Sequence, residues 1–493
     1  MATFSKLFRT SFVAVLLSVS CFSLSILRWD WEKIDTNQID FPKEFLFGVA
    51  TSAAQVEGGC TNHQHIEHEG TDRMPEVCGD ACDHWNLYKE DVQLIKNLNA
   101  NAYRFSVEWS KIEPQEGVFD EDALQHYVDV CDELLVNGIS PIVTIHHYTE
   151  PKWFADCEGG FGGFTKMENI KYYVRFAEKL FEYLGDRVDK WITFSSPVGH
   201  AMPSFAVGKM PPYKKDVILG LKVIKNMLEA HVQAYQAIKK MPGGGHAQIG
   251  ITQTIHQLDP VSKIDLIAKF YSFMGGSLTS KAIYNFFKKG IFKAKVPFKA
   301  NIKHVNKLAP KSLDFIALSY YSHCGLKGWG KRAAYPGEKK VWKEGCTIYA
   351  EGMYRALKEL HKKVARKLNI PIIVTENGVA PFAGQEQDRD LFLKRYTYAV
   401  SKAIADGIDV RGYVYWSLMD NYEWGKYHDY IEICDLENGD GECEKIKIND
   451  GYGLYHVDFE TQQRTLKPSA QYFIDVAGQF TPSPKGYGAQ VPV

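Results

Sequence analysis

The segment 371–378 (PIIVTENG) contains a carboxylate, Glu376, at a position suited to chemistry. An apolar run rich in β-branched residues precedes Glu376, and Asn377-Gly378 follows it. This pattern predicts a buried strand whose carboxyl end presents an acid just before a turn. A glutamate that merely ends a strand would give the same short motif. The polar residues at the other strand ends must therefore decide whether Glu376 is a nucleophile.

The other predicted strands also end in, or are followed by, polar and aromatic side chains. These are Gln55, Arg104, Glu108, His146, His147, Ser195, Ser196, Tyr320, Tyr321, Trp416, Glu423 and Trp424. Arg104 is a cation that could hold Glu376 ionised, and Trp and Tyr rings can stack on a sugar ring. A carboxylate nucleophile among such residues favours glycosyl transfer.

We predict neither a metal site nor a cofactor. His146 and His147 could ligate a metal, but adjacent strand residues point to opposite faces, so at most one of them faces the interior. A histidine that bonds to substrate or backbone is the preferred interpretation. The sequence has no Gly-x-Gly-x-x-Gly after its first predicted strand, which removes the main argument for a dinucleotide.

Predicted strands and helices alternate about eight times between Phe45 and Ala477. Repeated β–α units favour a parallel sheet, and eight of them favour a closed barrel whose strand carboxyl ends carry the chemistry. We therefore predict the α/β class, with a single (β/α)8 TIM barrel over residues 31–480 and a C-terminal tail over 481–493. Helical sequence is predicted through most of the region 260–305.

Composition indicates a soluble globular protein that binds neither nucleic acid nor an anionic surface. Of 493 residues, 45% are hydrophobic and 24% charged, and the net charge is -1. That charge gives no electrostatic argument for nucleic acid. The aromatic content of 13% tips the interpretation slightly toward carbohydrate. The predicted partner is a carbohydrate or glycoside.

The N-terminus has the pattern of a secretory leader. Lys6 and Arg9 precede a mostly apolar run, Phe12–Leu27, which is short for a spanning helix. We predict a signal peptide over about residues 1–30, with Ser23-Leu24-Ser25 as a small-x-small cleavage site, and a secreted or lumenal protein. The alternative is an uncleaved anchor, which would place the protein on a membrane.

Cysteine spacing predicts loop disulfides in an exported chain. The pairs Cys78/Cys82 and Cys434/Cys443 both lie in polar, glycine-rich sequence. A zinc site is less well supported, because Cys78 and Cys82 have no second ligand pair at zinc-site spacing.

Taken together, the motifs resemble glycoside hydrolase family 1, the β-glucosidase-like retaining enzymes. The resemblance runs from about Phe41 to about Gly478. It depends on the segments 45–59 (FLFGVATSAAQVEGG), 103–110 (YRFSVEWS), 144–151 (TIHHYTEP), 374–378 (VTENG) and 416–424 (WSLMDNYEW). It implies a single-domain (β/α)8 barrel without a cofactor. Glu108 and the His-His pair look more like the archaeal and plant galactolipid-remodelling branches than the common plant β-glucosidases.

The resemblance implies a role for each matching residue. Glu376 corresponds to the nucleophile, Arg104 and Tyr321 to the residues that hold it, and Trp416 to the platform under the sugar. The expected contacts to the sugar hydroxyls are Gln55, His147, Glu423 and Trp424.

One motif departs from the family pattern. The family has Thr-x-Asn-Glu-Pro at the end of the fourth strand, where this chain has Thr193-Phe194-Ser195-Ser196-Pro197. Ser196 stands where the general acid/base is expected, and Ser195 where an Asn would bond to the sugar 2-hydroxyl. Ser319 also replaces a usual Asn. General acid–base help is worth about 10²–10⁴-fold, so we predict that ordinary alkyl β-glucosides are poor substrates.

Three interpretations follow from this departure. The first is a retaining hydrolase or transglycosidase for β-glucosides or galactosides, whose leaving group needs no proton or receives one from Glu108 or His200. The second is a pseudoenzyme that binds sugar. The third is a membrane-associated glycolipid glycosyltransferase, which requires the N-terminal segment to stay uncleaved.

Overall fold

The structure is a computed structural model that describes residues 26–262, 264–296, 299–341, 346–427, 430–434, 443–447 and 450–480. Most of the predicted leader and the predicted tail over 481–493 lie outside these residues. Within the described ranges, no helix is long and apolar enough to cross a membrane.

A parallel sheet of nine strands forms the centre of the described structure. In chain order the strands are β1 (Leu46–Ala50), β2 (Ala102–Ser106), β3 (Ser140–His146), β4 (Lys190–Phe194), β5 (Gln248–Gly250), β6 (Thr252–Thr254), β7 (Ile316–Ser319), β8 (Ile372–Asn377) and β9 (Val410–Trp416). Their spatial order is β5-β4-β3-β2-β1-β9-β8-β7-β6. The two end strands, β5 and β6, are halves of one segment interrupted at Ile251. The sheet therefore closes on itself with eight strand positions, which confirms the predicted (β/α)8 barrel.

Helices follow the strands and cover the outside of the sheet. They are α1 (Ala53–Val56), α2 (His84–Asn97), α3 (Trp109–Ile112), α4 (Glu121–Val136), α5 (Ile170–Leu184), α6 (Pro197–Ala201), α7 (Val217–Ile238), α8 (Leu266–Lys289), α9 (Ala350–Leu360), α10 (Arg366–Leu368), α11 (Gln387–Ala405) and α12 (Gln471–Phe480). Aspartates cap several of the long helices: the Asp120 carboxylate, for example, accepts the Ala123 amide at 2.9 Å. Such caps fix where each helix begins.

Two layers of apolar side chains hold the barrel together. Inside the barrel, small and branched residues such as Ala102, Ile142 and Ala317 pack in one cluster that also contains Trp416. Between strands and helices, helical stripes such as Tyr173, Phe176, Leu180 and Leu184 of α5 are buried at intervals of three or four residues. Burial of both faces explains why the barrel strands are nearly continuous apolar runs.

Shorter strands lie outside the barrel. They pair Ile291–Val296 with Ala300–Val305, Tyr430–Cys434 with Cys443–Lys447, and Tyr455–Val457 with Arg464–Leu466, while Gln257–Pro260, His323–Lys327, Lys331–Ala333 and Cys346–Thr347 form a separate small sheet. The helix predicted through 260–305 is therefore wrong beyond Lys289. Gly290, with a φ of 70°, ends α8, and alternate burial of Phe292 and Ala294 marks a strand.

The predicted disulfide between Cys78 and Cys82 is also wrong. Both thiols are free and buried, and they point to different carbonyls: that of Ala54 for Cys78, and that of Asp420 for Cys82. Burial raises the pKa of Cys78 to about 12 and raises that of Cys82 as well. Cys434 and Cys443 lie directly opposite each other in a hairpin, but their side chains lie outside the described part of the chain.

Arg389, a fully buried cation of α11, ties together the loops that follow β8 and β9. Its guanidinium donates to the Val379 carbonyl at 3.1 Å, the Tyr415 hydroxyl at 3.0 Å and the Tyr452 carbonyl at 2.8 Å, and it also bonds to Glu386 at 3.1 Å. A planar guanidinium can reach these acceptors at once, and an ammonium cannot.

Replacing Arg389 by lysine should lower the free energy of unfolding by about 3 kcal/mol, because the ammonium group can keep only some of these bonds and each charge-assisted bond that is lost costs roughly 1.5–3 kcal/mol. Chemical denaturation monitored by tryptophan fluorescence measures the change. The matched control is Arg411→Lys, at an exposed Arg–Asp409 pair, for which we expect a change within about 0.5 kcal/mol. Equal effects of the two substitutions would contradict the assigned role of Arg389.

Candidate active site

A cavity of about 240 Å³ opens at the carboxyl ends of the barrel strands. Six residues that the sequence singled out line it: His147, Tyr321, Glu376, Trp416, Glu423 and Trp424. The barrel brings them together from β3, β7, β8 and β9 and from the loops that follow these strands. The position agrees with the usual location of chemistry in this architecture.

Glu376 lies near the end of β8 and receives bonds on both carboxylate oxygens. The Arg104 guanidinium and the Ser195 hydroxyl donate to Oε1, the latter at 3.0 Å, and the Tyr321 hydroxyl donates to Oε2 at 2.9 Å. Glu376 is 5% exposed as a residue and lines the cavity. These donors stabilise a buried negative charge and fix the direction in which the carboxylate points.

A hydrogen bond to the neighbouring strand β3 fixes the position of Arg104. Its Nε donates to Thr144 Oγ1 at 2.8 Å, and the residue is completely buried. Nη2 has no hydrogen-bond partner among the described residues. The N–H groups of Nη2 therefore remain available to a further acceptor.

Gly378 allows the chain to turn directly after Glu376. A Cβ at this position would lie 1.7 Å from the carbonyl oxygen of Trp416, so only glycine permits the close approach of the two strand ends. This contact brings Glu376 and Trp416 to the same wall of the cavity.

Gln55 and Glu423 form the polar end of the site. The Gln55 amide nitrogen donates to Glu423 Oε2 and to Asn421 Oδ1, both at 3.0 Å, while its oxygen accepts the Ser52 hydroxyl at 2.6 Å. Gln55 lies in α1, just after β1, and is fully buried. Its contacts orient the Glu423 carboxylate, which lines the cavity and can accept hydrogen bonds from hydroxyl groups.

Aromatic rings form the side walls. The centroid of the His147 ring lies 5.7 Å from that of Trp416 and 6.1 Å from that of Trp424. The Tyr148 ring lies 5.4 Å from that of Trp424. These rings give the cavity flat apolar surfaces of the kind on which sugar rings stack.

Two titratable groups beside Glu376 stay neutral near pH 7. Burial, with Arg104 nearby, holds the pKa of His147 well below its usual range. Burial and the neighbouring Glu376 carboxylate raise the pKa of Tyr321 well above its usual range. The imidazole of His147, whose Nε2 is 3.9 Å from Glu376 Oε1, is therefore not charged at neutral pH.

Ser195 and Ser196 point in different directions. Ser195 reaches Glu376, whereas Ser196 is the N-cap of α6, and its hydroxyl accepts the Gly199 amide at 3.0 Å. Ser196 has a φ of 108°, a conformation that residues with side chains rarely adopt. It is buried, and it is not among the described residues that line the cavity.

Glu108 and His200, the two candidate substitutes for a proton donor, also lie outside the described cavity lining. Glu108 caps α3: it accepts the Ser110 hydroxyl at 2.6 Å and the Thr149 hydroxyl at 2.8 Å. His200 lies in α6, with Nε2 3.2 Å from Glu150 Oε1. Neither side chain belongs to the described wall of the cavity that contains Glu376.

Sequence reasoning missed several residues of the cavity wall. Tyr148, His256, Arg332 and Tyr452 line it, and all of them lie in loops or in the small outer sheet. Tyr148 directly follows the His-His pair, so its position next to a strand end was a usable signal. His256 lies two residues after β6 and carried the same signal, whereas Arg332 and Tyr452 follow no strand end of the barrel closely.

Comparison with known proteins identifies the family. Residues 37–430 match the model of glycosyl hydrolase family 1. A 6-phospho-beta-galactosidase of Clostridium acetobutylicum is 30% identical, with 88% of this chain and 96% of the relative covered. Beta-glucosidase 22 of Arabidopsis thaliana is 30% identical, with coverages of 90% and 91%.

Solved structures agree with these relatives. A beta-glycosidase from Pyrococcus horikoshii has a TM-score of 0.75 at 32% identity, with 90% of this chain and 96% of that chain covered. The beta-glucosidase from Thermotoga maritima, in complex with deoxynojirimycin, has a TM-score of 0.73 at 26% identity, with coverages of 90% and 100%. This chain therefore belongs to glycosyl hydrolase family 1, a family of O-glycosyl hydrolases.

Proposed function

We propose that this chain is a retaining β-glycosidase or transglycosidase that uses Glu376 as its nucleophile and acts on β-glucosides or β-galactosides with good leaving groups. The observation that carries the proposal is the Glu376 carboxylate, held by Arg104, Ser195 and Tyr321 at the wall of a cavity with aromatic sides. A carboxylate that is kept ionised and oriented can attack an anomeric carbon and form a covalent glycosyl-enzyme.

The restriction to good leaving groups follows from the surroundings of the nucleophile. The carboxyl groups among the described residues of the cavity lining are Glu376 itself and Glu423, and Glu423 is bonded to Gln55. His147 is neutral, because burial lowers its pKa, and burial raises the pKa of Tyr148 above its usual range. Neither group is a strong proton donor at neutral pH, so an alkoxide leaving group would depart without help.

The Glu423 carboxylate favours an unphosphorylated sugar. A phosphate dianion beside Glu423 would be repelled, whereas neutral hydroxyl groups can donate to it; the lining also contains the Arg332 cation, which comes from the small outer sheet. One relative is named a 6-phospho-beta-galactosidase and another a beta-glucosidase. We propose that this chain takes the unphosphorylated type of glycone.

A sugar-binding pseudoenzyme is the second candidate, and one observation favours it. The Ser196 hydroxyl caps α6, and no carboxyl group stands in its place. A pure binding protein would need the Gln55–Glu423 pair and the tryptophans, but it would not need an ionised nucleophile with donors on both oxygens. The geometry around Glu376 therefore supports the enzyme more strongly.

Covalent labelling distinguishes the two candidates. An aryl 2-deoxy-2-fluoro-β-glucoside has a leaving group that needs no acid, so we expect its sugar mass on the peptide that contains Glu376, measured by mass spectrometry after digestion. Glu376→Gln is the control that must stay unlabelled. Azide should release the label faster than water does, because it attacks without a general base.

The 6-phosphate of the same probe tests the choice of glycone, and we expect it to label more slowly than the neutral sugar. If the folded wild-type protein binds the neutral probe but gains no covalent mass, the enzyme proposal is wrong and the binding protein is supported. Faster labelling by the phosphorylated probe would contradict only the proposed glycone.

A carboxyl group introduced at position 196 should restore acid catalysis. We expect Ser196→Glu to raise kcat/KM for an alkyl β-glucoside by about 10²–10⁴-fold, the usual value of general acid–base help. Steady-state glucose release measures the gain. The matched control is Ser196→Gln, which has the same shape and loses the same helix cap, at a cost of about 1 kcal/mol, but carries no acidic proton. Equal rates for the two variants would contradict the assignment of position 196.

We also propose that the N-terminal segment is removed after Ser25, so that the protein is secreted or lumenal. Residues just after that point contact the barrel: Trp29 donates to Glu351 at 2.9 Å, and Arg28 pairs with Glu338 at 2.7 Å. Removal after Ser25 would keep both contacts.

N-terminal sequencing of the full-length gene product, expressed in a host with a secretory pathway, tests this proposal. We expect the chain to start at Ile26 in the soluble extracytoplasmic fraction. An intact N-terminus in the membrane fraction would instead support the anchored alternative and a role in glycolipid glycosyl transfer.

A further inference from the structure

Three buried residues beside the active site form a cluster that the proposed glycosidase chemistry does not use. His146 is the last residue of β3, Glu150 lies four positions later in the following loop, and His200 lies in α6. Each of them is 2% exposed. The cluster lies outside the described lining of the active-site cavity, although His200 stacks against the ring of Tyr148, which is part of that lining.

The distances within the cluster are those of ligands around one metal ion. Glu150 Oε1 is 3.2 Å from His200 Nε2 and 3.6 Å from His146 Nε2, and the three ligand atoms all lie within 4.8 Å of one another. Metal–ligand bonds of 2.0–2.2 Å around a tetrahedral zinc ion place neighbouring ligand atoms about 3.3 Å apart. The ligand atoms need little movement to reach that geometry.

Hydrogen bonding within the protein does not account for this arrangement. Glu150 Oε1 and both ring nitrogens of His146 and of His200 have no hydrogen-bond partner among the described residues, although all are buried. The carboxylate oxygen and the Nε2 atoms are close, but they are not aligned for an N–H···O bond. Buried polar atoms nearly always have a partner, so an unaccounted binding partner for these atoms is expected.

Packing orients the two imidazole rings. The His146 ring contacts those of Phe164 and Phe194, at centroid distances of 5.5 Å and 5.3 Å, and the His200 ring lies 5.8 Å from that of Phe205. Both rings direct Nε2 toward the same carboxylate oxygen of Glu150, at 3.6 Å for His146 and 3.2 Å for His200.

We propose that His146, Glu150 and His200 bind one divalent transition-metal ion, with Zn²⁺ as the best fit. Two imidazoles and one carboxylate are ligands that zinc accepts, whereas Ca²⁺ and Mg²⁺ prefer sites made entirely of oxygen atoms. The ion connects the end of β3, the loop to Glu150 and helix α6. It therefore stabilises the wall that carries Tyr148 and the Ser195–Ser196 turn, independently of whether the proposed glycosidase activity is correct.

Neither histidine donates its Nδ1–H to a protein group among the described residues. Hydrogen bonds from the second ring nitrogen of a histidine ligand typically change metal affinity by about 10- to 100-fold. The site should therefore bind zinc more weakly than sites with those bonds. Stripping with a chelator should be possible without denaturing the protein.

The first test uses the whole protein without mutation. After treatment with a chelator and addition of Zn²⁺, native mass spectrometry should show one retained zinc per chain. The melting temperature should rise by about 3 °C at a zinc concentration one hundred times the dissociation constant. Co²⁺ in place of Zn²⁺ should give visible d–d absorption. Failure to retain any zinc and an unchanged melting temperature would together overturn the proposal.

Variants then locate the ion. Glu150→Gln, His146→Gln and His200→Gln should each reduce zinc retention at least tenfold while the far-ultraviolet circular dichroism stays that of the wild type. His304→Gln is the matched control, because His304 Nε2 also lies beside a glutamate oxygen, Glu229 Oε2, at 2.6 Å. Among the described residues, no second histidine joins this pair to form a group of possible metal ligands. Undiminished retention in folded His200→Gln would show that zinc binds elsewhere, for instance at cysteines, and would overturn the site.

Discussion

The buried negative charge of Glu376 is the constraint on which the arrangement of the active site depends. Glu376 and Arg104 are almost fully buried, and either one alone would leave an unpaired charge, at a cost of roughly 3–5 kcal/mol. Arg104 comes from β2 and Glu376 from β8, strands that are separated by β1 and β9 in the sheet. Their contact therefore requires the sheet to curl, as it does in the barrel. Ser195 and Tyr321 complete the set from the ends of β4 and β7, so strands from around the barrel converge on one carboxylate.

The two serines in the turn after β4 have different hydrogen-bond partners. Because side chains alternate along an extended chain, Ser195 reaches inward to Glu376 while Ser196 turns to the start of α6. The Ser196 hydroxyl satisfies the Gly199 amide, one of the donors that a helix N-terminus leaves unpaired. The same position cannot offer a short capping hydroxyl and a long acidic side chain at once. The structure thus explains how a serine is accommodated at position 196, and under the proposed function this position then supplies no proton donor.

The barrel and the position of Glu376 at a strand end could be predicted from sequence because their signals are local. Strands buried on both faces are continuous apolar runs, and the predicted strand at Pro371–Thr375 differs from Ile372–Asn377 by only one or two residues. Contacts that depend on the direction in which a side chain points could not be predicted in this way. The spacing of Cys78 and Cys82 does not reveal that their thiols point to different carbonyls. The strand from Ile291 follows a helix so closely that its short alternation was hidden in a basic, helix-like region.

Several residues of the cavity wall could not be predicted either, because no local sequence pattern places them there. Arg332 and Tyr452 reach the cavity from outside the barrel strands, and no periodicity places such residues. The His146–Glu150–His200 cluster was missed for a related reason. Two of its members are four residues apart across a strand end, and the third lies 50 positions further along the chain. Only the contact between the loop after β3 and α6 brings them together.

Helix α6 connects the active site to the His146–Glu150–His200 cluster. It begins at the Ser196 cap and contains His200 four residues later, in the first turns of the same short helix. The Tyr148 ring stacks on His200, and its hydroxyl lies 3.4 Å from the Ser195 carbonyl oxygen, while the Ser195 side chain bonds to Glu376. A buried cluster of unpaired nitrogens and a carboxylate would by itself weaken this wall, since such groups are costly to bury without partners. An ion that satisfied them would therefore stabilise the position of Ser195, and through it the orientation of the Glu376 carboxylate.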